Sequence, residues 1–466
     1  MSLTTGQKLA YAIPGLALAW LIPPMYAILG DFYLRYTEAT AAGIGTAMMM
    51  SKIVDAITDP PVGYLSDKTE SRWGARKPWI FVGLLMVIPS FHFFFSPPED
   101  AGNLYFALGL VLYYLCYTLI KIPMRAWLGE LSPDYSERSK IWSWMTICLL
   151  LGGLLIMLLP IVFSSPLLPW FDSPEFTPEV MSFIGWVGGV GIVATLLVSL
   201  WVVPGGERNP GESSDVKQFF NILLVSKPFQ HFMLGYGLSA LGYGISYAVM
   251  IVGLTSYYGF ADRLPIFMLA MILIQVASIP VWERIAERSS KHETWARAWV
   301  ICACFMPVLW LFGANSEYFW AFVACAGVIS IMQAPHMLFP VTIISDIVDY
   351  DTLKHRTSRS GNFFAVYTFV DKVLHAIGFG IGYYIIALFG YDAKAEVNTD
   401  LAVFGLKFAI LGVPAVMFLL SALVLFKFPI NRHRHSIIRR RIEQRARREK
   451  ARAPQSSHAD FQPQEV

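Results

Sequence analysis

The stretch SKIVDAITDPPVGYLSDKTESRWGARKPW, residues 51–79, sets two carboxylates inside an apolar run, ends that run in a charged loop and opens a second apolar run. Worked outward, the flanking segments extend over 41–63 and 79–96, each about the 20 residues needed to cross a bilayer. Composition agrees. Apolar residues make up 55% of the 466, charged residues 15%, and mean hydropathy is +0.51. A soluble chain carries roughly 25% charge, so this one has too little polar surface to coat itself against water.

Hydropathy places twelve spans near 9–30, 41–63, 79–96, 105–128, 141–163, 183–203, 232–256, 264–282, 298–313, 318–340, 362–388 and 404–428. The reading is an all-α polytopic membrane protein with two six-helix bundles. Residues 1–204 form the first bundle and 231–428 the second. A linker at 205–230 joins them, containing GGERNPGESSD and the more amphipathic VKQFFNILLV, and a basic tail follows over 429–466. The five cysteines all lie in apolar segments without zinc or redox spacing.

Lys and Arg crowd alternate loops, as at Lys68, Arg72, Arg76 and Lys77, at Arg284, Arg288 and Lys291, and at Lys354, Arg356 and Arg359. The opposite loops hold only Arg35, Arg263 and Lys394. The rich side is expected to be cytoplasmic, with both termini inside. The tail, RHRHSIIRRRIEQRARREKAR, is expected to be a solvated helix near anionic headgroups and not a nucleic-acid binder.

Few charges remain within the spans, and these carry the chemistry. Asp55 and Asp59 lie four residues apart, so both project from one helix face. A central Asp costs about 2.5–3.5 kcal/mol on the insertion scale, and two side by side repel unless a cation sits between them. Pro60 and Pro61 cannot donate to the carbonyls of Ala56 and Ile57, leaving oxygen acceptors nearby. This set suits a monovalent cation, Na+ or H+. The competing reading is a salt bridge to Lys52 or Lys121 that only holds helices together.

Thr118, Lys121 and Arg125 form one polar stripe on span four. The two cations can grip an anionic substrate group, with Arg125 offering a bidentate fork, or can merely balance the two acids. In span eleven, Asp371 and His375 share a face, while Lys372 projects about 100° away. Lys372 either reaches the cavity or pairs with Asp371. Trp20, Tyr114 and Tyr367 are the aromatic candidates for a ring platform.

The loop GYLSDKTESRWGARKPW resembles the signature loop of the major facilitator superfamily. With DAITDP before it and SDIVDYDTLKHRTSRSG after span ten, the chain is similar to the glycoside–pentoside–hexuronide:cation symporters, the family of the melibiose permease. The resemblance implies alternating access between two bundles. It implies a coupling-cation site at Asp55, Asp59 and Thr118, with Lys372 linking that site to the sugar. The melibiose permease grips its neutral galactoside with an acid at each of the positions matching Ala19 and Lys121. Its span-four tryptophan is matched by Arg125, and its span-five arginine by Thr146. These departures imply an anionic sugar, a hexuronide or sulfonated sugar. The alternative is a neutral glycoside or a lysolipid-like amphiphile, with Lys121 and Arg125 only balancing the acids.

Asp67, Arg72, Arg76 and Lys77 are expected to form an inner gate, joined by Asp349 with Asp346, Asp351, Lys354 and Arg356. Without a metal-ligand cluster, nucleophile motif or soluble catalytic domain, neither an enzyme nor a bound cofactor is expected. The expected partners are a sugar-like small molecule and the lipid bilayer, the expected site is the cell inner membrane, and a monomer suffices.

Overall fold

The structure is a computed structural model describing residues 3–21, 23–132, 134–206, 226–314, 317–355 and 359–452. Among these residues the chain consists of helices and loops. Span one is interrupted, running through Thr5–Ala12, Pro14–Leu18, a 3-10 turn at Ala19–Leu21, and Pro23–Tyr36. Pro14, Pro23 and Pro24 withhold the N–H groups that one continuous helix would need. Such irregular backbone is tolerated at membrane depth only where protein buries it, and Ala19, Trp20 and Leu21 are all buried.

Spans two to six are Ala41–Lys68, Lys77–Phe95, Asn103–Leu131, Tyr135–Phe163 and Pro178–Val202. Span seven is Lys227–Val252, prolonged by a π turn at Gly253–Tyr257. Spans eight to eleven are Leu264–Arg288, Lys291–Trp310, Phe319–His355 and Ser360–Leu388. Span twelve joins Asp400–Lys407 to Val413–Phe426 through a π turn at Phe408–Gly412. Among the described residues, nine of these elements are long and apolar enough to cross a membrane unaided. The others are span one, which is broken, span two, which carries Lys52, Asp55 and Asp59, and span nine, which opens with Lys291, Glu293 and Arg297.

Several helices outrun the expected boundaries. Span two continues to Lys68 and span ten to His355, because hydropathy marks where the apolar layer ends and not where helical hydrogen bonding stops. Span seven begins at Lys227, inside the expected linker. Residues 207–225 of that linker, with VKQFFNILLV, Arg208 and Lys217, lie outside the described residues, as does Arg356.

Span two packs on span four of its own half and on span eleven of the other. The second contact is close at the Lys/Arg-poor end: a Cβ added to Gly45 would stand 3.0 Å from the Gly380 carbonyl oxygen. Small residues permit this approach where lipid supplies no drive for helix association. Hydrogen bonds tie the halves together at the same end. Thr255 Oγ1 donates to Asp31 Oδ1 at 2.7 Å, Thr46 and Tyr384 share a bond of 2.5 Å, and Lys394 Nζ donates to the Thr37 carbonyl.

The terminal segment is a helix, Arg432–Arg452, and most of its described side chains are exposed, with one stripe docked on protein. It lies against the end of span ten. Ile438 is buried, His435 Nε2 meets Asp349 Oδ2 at 3.0 Å, and Arg445 donates to the Leu353 carbonyl at 3.3 Å. One apolar and polar stripe of this basic helix is therefore turned onto protein.

Candidate functional site

Span two brings Asp55 and Asp59 to the boundary between the halves, one helical turn apart. From span four, Thr118 Oγ1 stands 3.0 Å from Asp55 Oδ1 and 3.1 Å from Asp59 Oδ1. The hydroxyl has one proton, so it donates to one carboxylate at a time and offers its lone pairs elsewhere. From span eleven of the other half, Lys372 Nζ donates to Asp55 Oδ2 at 3.0 Å and to Asp59 Oδ2 at 2.8 Å. An ammonium thus sits between two carboxylates, with a hydroxyl closing the opposite side. The Asp55 side chain is 3% exposed and that of Asp59 28%. Asp59 is the member nearer the Lys/Arg-rich end, so the site is more open towards that end.

Lys121 and Arg125 do not bridge to the acids. Lys121 Nζ lies 4.4 Å from the Tyr117 ring centre, and Arg125 stacks 5.5 Å from that of Trp142. Among the described residues neither makes an ion pair. Both line a small cavity of about 100 Å³, together with Tyr11, Tyr117, Trp142 and Met145. Two cations beside three aromatic faces can hold a flat ring bearing an anionic group. Tyr11 donates to the Met124 carbonyl at 2.6 Å, which fixes that wall.

Lys372 does not pair with Asp371. The Asp371 carboxylate instead accepts from the Tyr236 hydroxyl and lies 3.0 Å from His375 Nδ1. The Tyr367 hydroxyl lies 3.5 Å from that of Tyr236, on the margin of the same cluster. The other aromatic candidates have structural partners. The Trp20 indole donates to the Ile184 carbonyl at 3.0 Å, and its ring fills the notch over Gly188. Tyr114 is buried beneath Lys52, whose Nζ lies 4.0 Å from the ring centre. Thr146 returns its hydroxyl to the Trp142 carbonyl.

Arg76 pairs with Asp67 and Glu130 and donates to Ser66, while Lys77 donates to the Leu200 carbonyl at 2.7 Å. Arg72 is exposed at the edge of this group. In the second half, Arg359 binds Asp351, Lys291 binds Asp346, and Asp349 meets the terminal helix. Among the described residues these charges brace the Lys/Arg-rich end of each half internally, and none of the ion pairs named here bridges the two.

Sequence reasoning passed over Tyr117, Trp142 and Tyr11 as site residues. Tyr117 was legible, being four residues before Lys121 and so on its face. Tyr11 and Trp142 come from other spans, and no spacing reveals such meetings.

The model of the MFS/sugar transport protein family matches residues 6–432. The inner membrane symporter YicJ of Escherichia coli is 23% identical, over 91% of each chain. The sodium-dependent lysophosphatidylcholine symporter 1 of Gallus gallus is 22% identical, over 92% of this chain and 87% of its own. The crystal structure of the nucleoside transporter NupG superposes with a TM-score of 0.64 at 12% identity, covering 91% of this chain and all of that one. Twelve helical spans among the described residues, nine of them long and apolar enough to cross a membrane unaided, with charged groups from both halves meeting at the interface, belong together with these matches: the chain is a membrane transporter of the MFS/sugar transport family and not an enzyme.

Proposed function

We propose that the protein couples the movement of Na+ or H+ to that of a negatively charged sugar or sugar derivative, a hexuronide or sulfonated sugar, by alternating access. The observation that carries this reading is Lys372 Nζ held between Asp55 and Asp59. That ammonium stands where a coupling cation would sit, in a ring of carboxylate and hydroxyl oxygen. A cation entering from the open end competes with Lys372 for the carboxylates and frees a positive charge from the second half. The substrate, held by Lys121 and Arg125, then meets Lys372 as the halves close around it. Linkage makes the effect reciprocal: substrate tightens cation binding by the factor by which cation tightens substrate.

Charge supports the anionic choice. Near the interface the acids Asp55, Asp59 and Asp371 face the bases Lys52, Lys121, Arg125 and Lys372. Counting these aspartates, lysines and the arginine, the chamber holds one more base than acid. A coupling cation adds a further positive charge, and an anionic substrate offsets it within a low-dielectric space. Lys372 supplies one of the positive charges facing the two acids by direct contact, whereas Lys121 and Arg125 lie against aromatic rings, where a substrate anion can meet them.

The same reading puts the protein in the cell inner membrane with both termini cytoplasmic. The Lys/Arg-rich end then faces the cytoplasm, and the conformation is open inward. Matched sugars test it: uptake of methyl glucuronide and methyl glucoside into vesicles, with and without a sodium or proton gradient. Gradient-driven uptake that favours the glucuronide, and loses that preference in Arg125→Ala, is expected. Uptake indifferent to both gradients, or an anion preference unchanged in Arg125→Ala and Lys121→Ala, overturns it.

A further inference from the structure

The second half contains a cavity of about 200 Å³ that the cation and anion sites do not use. Its walls come from spans seven, eight, nine, ten and twelve. Met250, Met268, Met271 and Met306 supply much of an apolar interior; Gln275 and Gln333 add amides, while the lining Ser246 and Ser330 spend their hydroxyls on backbone carbonyls. Met337, 68% exposed, also lines it.

The cavity shares a wall with the Asp371–His375 cluster at the boundary between the halves. Tyr243 forms part of its wall, and the same ring packs edge-on to His375, 5.9 Å between centres. His375 is the partner of Asp371, and Lys372 follows it in the chain. Span eight, which lines the cavity, packs on span five of the other half, and span five contributes Trp142 and Met145 to the Lys121–Arg125 site. An apolar cavity of about 150 Å³ stays dry and admits a benzene ring. Methionine walls, being unbranched and polarisable, adapt to varied apolar shapes and favour aromatic contact.

We propose that this cavity is a second substrate subsite, which takes an aromatic ring or short alkyl group borne by the transported anion. The proposal rests on the reading of an anionic, sugar-like substrate. The transported molecule is then two-part: a charged ring held by the first half and an apolar appendage lodged in the second. Each half grips one end, so full contact requires both halves to close on the same molecule.

Four probes separate this inference from the reading beneath it: methyl glucoside, phenyl glucoside, methyl glucuronide and phenyl glucuronide. Affinity of the purified full chain in lipid nanodiscs is measured for each. Phenyl is expected to bind at least tenfold tighter than methyl in both pairs, since each buried methylene equivalent is worth about fourfold. Ala326→Phe fills the cavity and should erase the phenyl gain while leaving the methyl probes unchanged. Ala326→Leu is the milder variant if the first fails to assemble. Equal affinity for phenyl and methyl, or a phenyl gain that survives the filled cavity, overturns the subsite. Loss of the glucuronide preference alone overturns the anionic reading and leaves the cavity standing.

Discussion

Lys372 Nζ lies 2.8 Å from Asp59 Oδ2, joining span eleven of one half to span two of the other. It also lies 3.0 Å from Asp55 Oδ2, so one side chain from the second half neutralises part of a pair in the first. The link lies beyond the close Gly45–Gly380 approach and below the Thr255–Asp31 bond, towards the Lys/Arg-rich end.

Replacing Asp59 should uncouple the protein. Asp59→Asn removes a charge but keeps nearly the same shape, so the fold is expected to survive. Gradient-driven accumulation in vesicles should fall to the level of empty controls. Accumulation that persists at even half the parent rate excludes Asp59 from the cation site.

Lys372→Met leaves two carboxylates without their shared ammonium. Removing one partner of a buried charge cluster costs about 3–5 kcal/mol, so the thermal midpoint in cation-free buffer should drop. Cation should restore more of it than it adds to the parent, because nothing now competes for the site. A variant whose midpoint is no more responsive to cation than the parent argues against competition between Lys372 and the ion.

Thr118→Val tests the hydroxyl. The shapes match closely, while an oxygen beside both carboxylates disappears. Loss of one buried polar partner is worth about 1–3 kcal/mol, so cation affinity should weaken by about tenfold or more. The affinity of substrate measured without cation should move little. An unchanged cation titration would remove Thr118 from the coordinating set.

The hydrogen bonds at the Lys/Arg-poor end are separable from the binding site. Thr255→Val deletes the donor to the buried Asp31 carboxylate across the two halves. Hydrogen bonds to a charged group contribute about 1.5–3 kcal/mol, enough to move a conformational equilibrium by about tenfold. A cysteine placed at Thr46, beside Tyr384 in the other half, should then label faster with a membrane-impermeant maleimide. An unaltered labelling rate would show that this bond does not hold that end shut.

The sequence alone determined the membrane-spanning architecture, because burial in lipid demands long apolar helices whatever their neighbours. It also singled out Asp55, Asp59 and Lys372, since an ionised group in such a helix is too costly to be incidental. Helical periodicity placed Asp55 beside Asp59 and Thr118 in line with Lys121. Only the tertiary structure decided which base meets which acid. Lys52, Lys121, Arg125 and Lys372 were all eligible partners by charge. The crossing of spans two and eleven gave the position to Lys372 and left Lys121 and Arg125 against aromatic rings. Trp20 looked equally available in sequence, yet the broken first span turns its indole onto Ile184. Spacing along one helix is a local property that the chain carries with it. Which faces of different helices meet depends on how all twelve pack, and that is settled by the sum of many weak contacts spread over both halves.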